Sequence, residues 1–282
     1  MHFKNDNNQR KNPSIEICQS LGERSDQQDR FVISQMQIGT LVVVSDGHGG
    51  HMVADIVAAQ VSAIFAELLE KTMDNSPRSY TPCISNKQIK SVIKNTINDL
   101  IEKTKNEISG ATLSLAFIEQ GYSNDISAYQ SGCRVTTGQL GDSIIAMSKK
   151  SGHLYMPNLH AVQYAKADVA EIKKRFENKY KQPCRSNGGY IRSAQNSNGI
   201  AVTRALGDKS FMLIRKPEIK SYFLPTGSIT LLASDGILNK NQVPRKLVNQ
   251  YMKQLHNFAT ANELFNSMGW FNDNTTMVVI RN

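Results

Sequence analysis

Residues 41–45, Leu-Val-Val-Val-Ser, run apolar and β-branched without alternation, then stop at Asp46-Gly47-His48-Gly49-Gly50. Such an unbroken run predicts a strand covered on both faces, so the fold must supply a packing layer on each side of its sheet. The glycine turn ends the strand, and residues 53–70 then follow the 3.6-residue period of a helix. Strand, glycine turn and helix in succession hold the side chain at their junction, Asp46, at the edge of a sheet.

Further elements follow in blocks. Short strands are expected over 15–18 and 29–34. A second amphipathic helix is expected over 88–108, with Ile89, Val92, Ile93, Ile97, Leu100 and Ile101 on one face. Consecutive strands over 111–118, 126–130, 133–139 and 143–147 precede a helix over 161–179. The Gly-, Asn- and Ser-rich stretch 183–199 reads as a loop or flap. A strand at 231–233, helices at 243–256 and 260–268, and a strand at 275–280 complete the chain. Strands grouped together, rather than alternating with helices, predict an α/β chain of the α+β type, with antiparallel sheets and helices packed outside.

With 40% apolar and 20% charged residues the chain can bury a sizeable core. No run approaches the roughly 18 apolar residues that span a bilayer. The polar first 14 residues lack the apolar stretch of a signal peptide and read as a tail. A cytoplasmic protein with no transmembrane segment is therefore the expectation. Cys18, Cys83, Cys133 and Cys184 are too scattered for a zinc knuckle or a disulfide framework. The net charge of +9 concentrates in 166–192. That stretch reads first as a solvated helix face, and second as an attraction for acidic partners such as phosphoproteins. Without interleaved aromatic residues it is no platform for single-stranded nucleic acid, so nucleic acid is not an expected partner.

Three aspartates carry the chemistry. Asp46 follows Val-Val-Val-Ser, Asp235 follows Leu-Leu-Ala-Ser, and Asp273 precedes Thr-Thr-Met-Val-Val-Ile. Each stands where a hydrophobic strand meets a Gly or Asn turn. Alone, an Asp-Gly pair is usually just a turn. Three converging carboxylates in a partly dry site would instead need a cation, and all-oxygen ligands select Mg²⁺ or Mn²⁺ over zinc.

Seven segments in order then identify a likeness: GERSDQQD (22–29), VVVSDGHGG (42–50), SGAT (109–112), GQLGDS (138–143), GIAVTRALGD (199–208), LLASDGILN (231–239) and DNTTMVVI (273–280). Together they resemble the type 2C, metal-dependent Ser/Thr protein phosphatases over residues 22–279. The resemblance implies a sandwich of two antiparallel sheets flanked by helices, in one catalytic domain over 15–282 with a flap at 160–198. It implies two metal ions, with a weaker third. Asp46 would bridge the pair, the Gly47 carbonyl would bind one ion, Asp235 and Asp273 would hold the other, and Asp142 would help bind the third. Arg24 would contact the substrate phosphate, and His48 would protonate the leaving alkoxide. Asp29 would support His48 or Arg24. The implied reaction is hydrolysis of phosphoserine or phosphothreonine by a hydroxide generated between the two ions, with no phosphoenzyme intermediate. The implied partners are phosphorylated, possibly acidic, proteins, and the chain is expected to act as a monomer.

Two positions depart from the family pattern. Gln28 stands where a glutamate is usual, and Asn239 where many relatives carry an aspartate. Both losses of charge predict weaker outer metal binding, with dependence shifted toward higher Mn²⁺. They also supply the competing reading, a pseudophosphatase that uses the same fold for binding. A metal-dependent nuclease has only the positive charge and the carboxylates behind it. Arg204 and Asp208 are expected to be structural ties beneath the site, Trp270 to pack beside it, and His153, His160 and His256 to lie on the surface or in loops.

Overall fold

The computed structural model describes residues 13–74, 84–120, 132–193, 196–238, 242–257 and 260–282. The chain opens with strands β1 (Ser14–Ser20), β2 (Asp29–Met36) and β3 (Gly39–His48), then helices α1 (Met52–Asp74) and α2 (Asn86–Thr104). Strands β4 (Gly110–Ala111), β5 (Leu113–Gln120), β6 (Gly132–Leu140), β7 (Ile144–Ser148) and β8 (Leu154–Tyr155) follow. Helix α3 (Lys166–Tyr180) leads into β9 (Arg185–Asn187), β10 (Tyr190–Ser193), β11 (Asn196–Ile200), β12 (Leu206–Gly207), β13 (Glu218–Pro225) and β14 (Ile229–Ala233). A 3-10 turn at Asp235–Ile237, helices α4 (Pro244–Asn257) and α5 (Ala261–Ser267), and strand β15 (Thr275–Arg281) end it.

Among the described residues every strand pairing is antiparallel. One sheet runs β1-β15-β14-β7-β8, and the other runs β12-β4-β3-β5-β6-β13 with β2 added on β3. Side chains alternate between the faces of a strand, and β3 shows why its sequence is apolar throughout. Leu41 and Val43 pack toward α1 and α2, against residues such as Val57, Phe65 and Ile93. Val42 and Val44 point the other way, against Leu232 and Val278 of the second sheet. The second sheet buries its outer face under α4 and α5, through Val248, Met252 and Leu264. The result is helices, sheet, sheet, helices, the α+β arrangement expected.

Four sequence expectations change. The stretch 183–199 is not an irregular loop: β9, β10 and β11 form a three-stranded antiparallel sheet that shares a core with α3 through Ile172, Phe176 and Ile191. Helix α3 starts at Lys166, five residues later than its periodicity suggested, because 161–164 are taken by a bridge to Val202 and a turn. Strand β13, whose Lys220 and Ser221 break an apolar pattern, was not anticipated. Lastly, α1 is long and apolar enough, by length and composition, to cross a membrane. Its Val53, Val57, Val61, Phe65 and Leu69 form one face buried in the core beside α2. The expected strand at 126–130, Cys83 and Asn239 lie outside the described residues. Cys18, Cys133 and Cys184 are free and buried, as scattered reduced thiols would be.

Candidate active site

The two sheets bring their acidic strand ends to one edge. Asp29 and Asp46 stand directly opposite each other on β2 and β3. Like charges in that register destabilise a sheet. Asp46 feels burial first, then Asp235, Asp29, Asp142 and Asp273, and together these push its carboxyl well above the ordinary range. Asp142 is pushed up to about 7 by burial and by Asp235, with His48 pulling the other way. Burial also raises Asp29, against hydrogen bonds from Ser234 and Thr276 that hold it back. The five carboxylates from Asp29, Asp46, Asp142, Asp235 and Asp273 are thus one electrostatic cluster drawn from both sheets.

Local structure explains each placement. The Asp46 amide donates to Thr112 Oγ1 (3.1 Å), its carbonyl accepts from the Thr112 amide (2.9 Å), and Thr112 Oγ1 shares a hydrogen bond with Ser143 Oγ (2.5 Å). The SGAT and LGDS segments therefore brace Asp46. Gly141, at φ +99°, makes the turn that presents Asp142, and a Cβ there would lie 2.6 Å from Thr112 Cγ2. Ser234 Oγ donates to Asp29 Oδ2 (2.7 Å), leaving the buried Oδ1 without a protein donor. Asn274, just after Asp273, accepts from the Gln28 amide (2.8 Å) and donates to the Leu21 carbonyl (2.9 Å). These two bonds pin the loop that carries Arg24. Asn274 is buried with both amide groups engaged, so its Asn-Thr-Thr sequon cannot accept a glycan in the folded chain.

Arg24 Nη2 meets Asp273 Oδ2 at 2.7 Å, and that bond holds the guanidinium still more firmly protonated. Its side chain remains 57% exposed, with donors turned to solvent.

His48 is not supported by Asp29. Its Nε2 lies 2.8 Å from Asp208 Oδ2, on the GIAVTRALGD segment. Burial pulls the His48 pKa down, but the hydrogen bond and charge of Asp208, with Asp142 and Asp235 behind, carry it above its ordinary value. Asp208 is buried and adopts φ +52°, a left-handed conformation that is a strained choice for a residue other than glycine. Its amide donates to the Ser109 carbonyl, and Arg215 holds the carbonyls of Ala205 and Gly207 just before it. Gly110 completes the arrangement. A Cβ at that position would lie 2.0 Å from Asp208 Oδ2 and 2.3 Å from His48 Nε2. Reading the sequence placed Asp208 beneath the site; the structure makes it the partner of His48. Arg204, by contrast, is the tie expected, paired through two nitrogens to Asp168.

The remaining residues divide. Trp270 does not pack beside the site but is 78% exposed, with its Nε1 donating to Glu23 Oε1 at 3.1 Å, next to Arg24. His160 is buried rather than on the surface, His256 bonds Ser148, and His153 meets the Tyr155 ring edge-on.

Among the described residues, no three His, Cys, Asp or Glu side chains are gathered tightly enough to encase a metal by themselves. The donor set nevertheless fits a hard divalent cation. It is all oxygen, the neighbouring aspartates hold the Asp46 carboxyl well above its ordinary range, and Asp29 Oδ1 is a buried acceptor with no donor. A cation would relieve each of these costs.

Comparison with known proteins agrees with this architecture. A family model described as Protein phosphatase 2C matches residues 4–263. No curated protein matches the chain. Among solved structures, a serine-threonine phosphatase 2C from Toxoplasma gondii superimposes with a TM-score of 0.67 at 17% identity, over 95% of this chain and 94% of that one. The S. agalactiae serine/threonine phosphatase gives 0.59 at 16% identity, over 95% and 99%.

Proposed function

Because the chain belongs to the protein phosphatase 2C family, and is by that membership a protein serine/threonine phosphatase, we propose that it is an active, metal-dependent hydrolase of phosphoserine and phosphothreonine. The observation that carries this reading is the cluster of Asp29, Asp46, Asp142, Asp235 and Asp273, joined by Arg24 through Asp273 and by the His48–Asp208 pair in the field of Asp142 and Asp235. Asp46, the Gly47 carbonyl, Asp235 and Asp273 would hold two Mg²⁺ or Mn²⁺ ions, and Asp142 a weaker third. When bound, such ions supply Lewis-acid activation of water and offset charge on the phosphoryl oxygens.

The chain's own groups do the rest. Arg24 presents two parallel N–H donors to phosphate oxygens. His48 carries the proton that the departing serine or threonine oxygen takes up. Asp208 is a positioning residue: it turns the His48 ring and favours its charged form. Phosphate release from a phosphoserine peptide with Mn²⁺, and none with EDTA, is the expected result. Peptide binding without turnover would instead support the pseudophosphatase reading, and cleavage of a phosphodiester would support the nuclease.

Gln28 is held on both sides of its backbone, by Asn274 and by the Gly47 amide, which donates to its carbonyl at 3.2 Å. Gln28→Glu would add a carboxylate beside Gly47 without disturbing those bonds. The half-saturating Mn²⁺ concentration for activity is expected to fall several-fold, and an unchanged value would sink the idea.

Trp270 gives a second prediction. Tethered by Glu23 with its ring exposed beside Arg24, it offers an apolar surface to residues flanking the phosphorylated one. Trp270→Ala should raise KM for a phosphopeptide with apolar flanks by about tenfold, the loss of one partly buried aromatic contact. It should leave p-nitrophenyl phosphate kinetics unchanged; equal effects on both substrates would remove Trp270 from peptide recognition.

A further inference from the structure

A cavity of about 620 Å³ opens between the start of α3 and the start of α4, lined by none of the clustered aspartates. Ala165 precedes α3 and gives it no side-chain cap, and Val243 precedes α4 with a side chain that carries no acceptor. Both residues line the cavity. The Lys166 and Ala167 amides at the start of α3, the Arg245 amide behind Pro244 at the start of α4, and the positive ends of the two helix dipoles are thus left to whatever fills it.

The cavity wall carries a second signal. His160 is 2% exposed and lines the cavity, and neither ring nitrogen has a hydrogen-bond partner. Glu218 Oε2 lies 3.6 Å from Nε2, too far to bond. A buried polar group left this way destabilises the fold unless a ligand or water satisfies it.

Charge decides what kind of ligand. The two carboxylates in the wall are committed: Asp168 accepts from Arg204 at 2.7 and 3.0 Å, and Glu218 pairs with Lys220. The cations are not. Among the described residues Lys166 has no carboxylate partner, and Arg245 reaches only the carbonyls of Leu154 and Met156, at 3.3 and 3.4 Å. Met156, Tyr164 and Val243 supply apolar surface beside them. We propose that this cavity binds a small organic anion, with a carboxylate or phosphoryl head between the two helix starts and an apolar body against Met156 and Tyr164. The volume suits a ligand of that size.

The test uses phenylphosphonate, which carries such a head and body and cannot be hydrolysed, titrated into the whole chain in EDTA while backbone amide NMR shifts are followed. Saturable shifts at Ala167, Arg245 and their neighbours are expected. In the Lys166→Glu, Arg245→Glu double variant, both sites being exposed, the dissociation constant should rise at least about tenfold while turnover of p-nitrophenyl phosphate stays unchanged. Val243→Trp, which fills the cavity without changing charge, should abolish the same shifts. Shifts confined to the Arg24 side, a titration that never saturates, or a constant unmoved by the double variant would each overturn the proposal. It does not rest on the phosphatase reading, and neither outcome alters that reading.

Discussion

Asp46→Asn is expected to abolish metal-dependent phosphate release while leaving the metal-free chain at least as stable as the wild type. The two effects have opposite signs because Asp46 is placed for chemistry at the expense of the fold. It lies across the β2–β3 ladder from Asp29 and within the field of Asp142, Asp235 and Asp273, which with burial push its carboxyl far above the ordinary range. A neutral amide of the same shape relieves that repulsion, and it keeps the main-chain bonds to Thr112. Metal-assisted charge stabilisation contributes several kcal/mol to phosphoryl transfer. At about 1.36 kcal/mol per tenfold, losing about 4 kcal/mol is a drop of roughly 10³ in kcat. Steady-state assays paired with urea unfolding in EDTA measure both effects. A variant that lost activity only because it unfolded would contradict this account.

Asp208→Asn tests the proton donor. The substitution keeps the side-chain shape, but removes the charge that, with the hydrogen bond, favours protonated His48. General-acid catalysis is worth roughly 10²–10⁴-fold when the leaving group is a poor one. Hydrolysis of a phosphoserine peptide, whose alkoxide needs the proton, is expected to fall by at least about 10². Hydrolysis of p-nitrophenyl phosphate, whose phenolate leaves readily, should fall far less. Gly110→Ala should give the same pattern through geometry alone, since its methyl would occupy the space between Asp208 Oδ2 and His48 Nε2. Equal losses on both substrates would show that Asp208 serves the fold and not the proton.

Much of the framework was legible because burial on two faces leaves a plain trace. The unbroken apolar run of β3 demanded layers on both sides, and its alternate side chains do pack into two separate cores. The junction aspartates were equally visible, since a carboxylate after a buried strand conflicts with its surroundings. Contacts between distant segments were not visible. His48 and Asp208 lie 160 residues apart, and only the antiparallel β3–β4–β12 ladder brings them to 2.8 Å. The small sheet over α3 was hidden for another reason. Its strands are short and polar, with exposed Arg185, Ser186 and Asn187, and the buried Ile191 and Ile200, on different strands, cannot set up an alternating pattern. Trp270 was misplaced because aromaticity predicts burial, whereas here the indole N–H is tied to Glu23 and the ring stays in solvent.

The most direct measurement is calorimetric titration of the metal-free chain with Mn²⁺, on the wild type and on Asp46→Asn side by side. The account predicts binding near two ions per wild-type chain, as a two-metal site requires, with the tighter event lost in the variant. A wild-type chain that takes up no Mn²⁺, or a variant that binds it as well as the wild type, would contradict the claim that the Asp46 cluster is a metal centre.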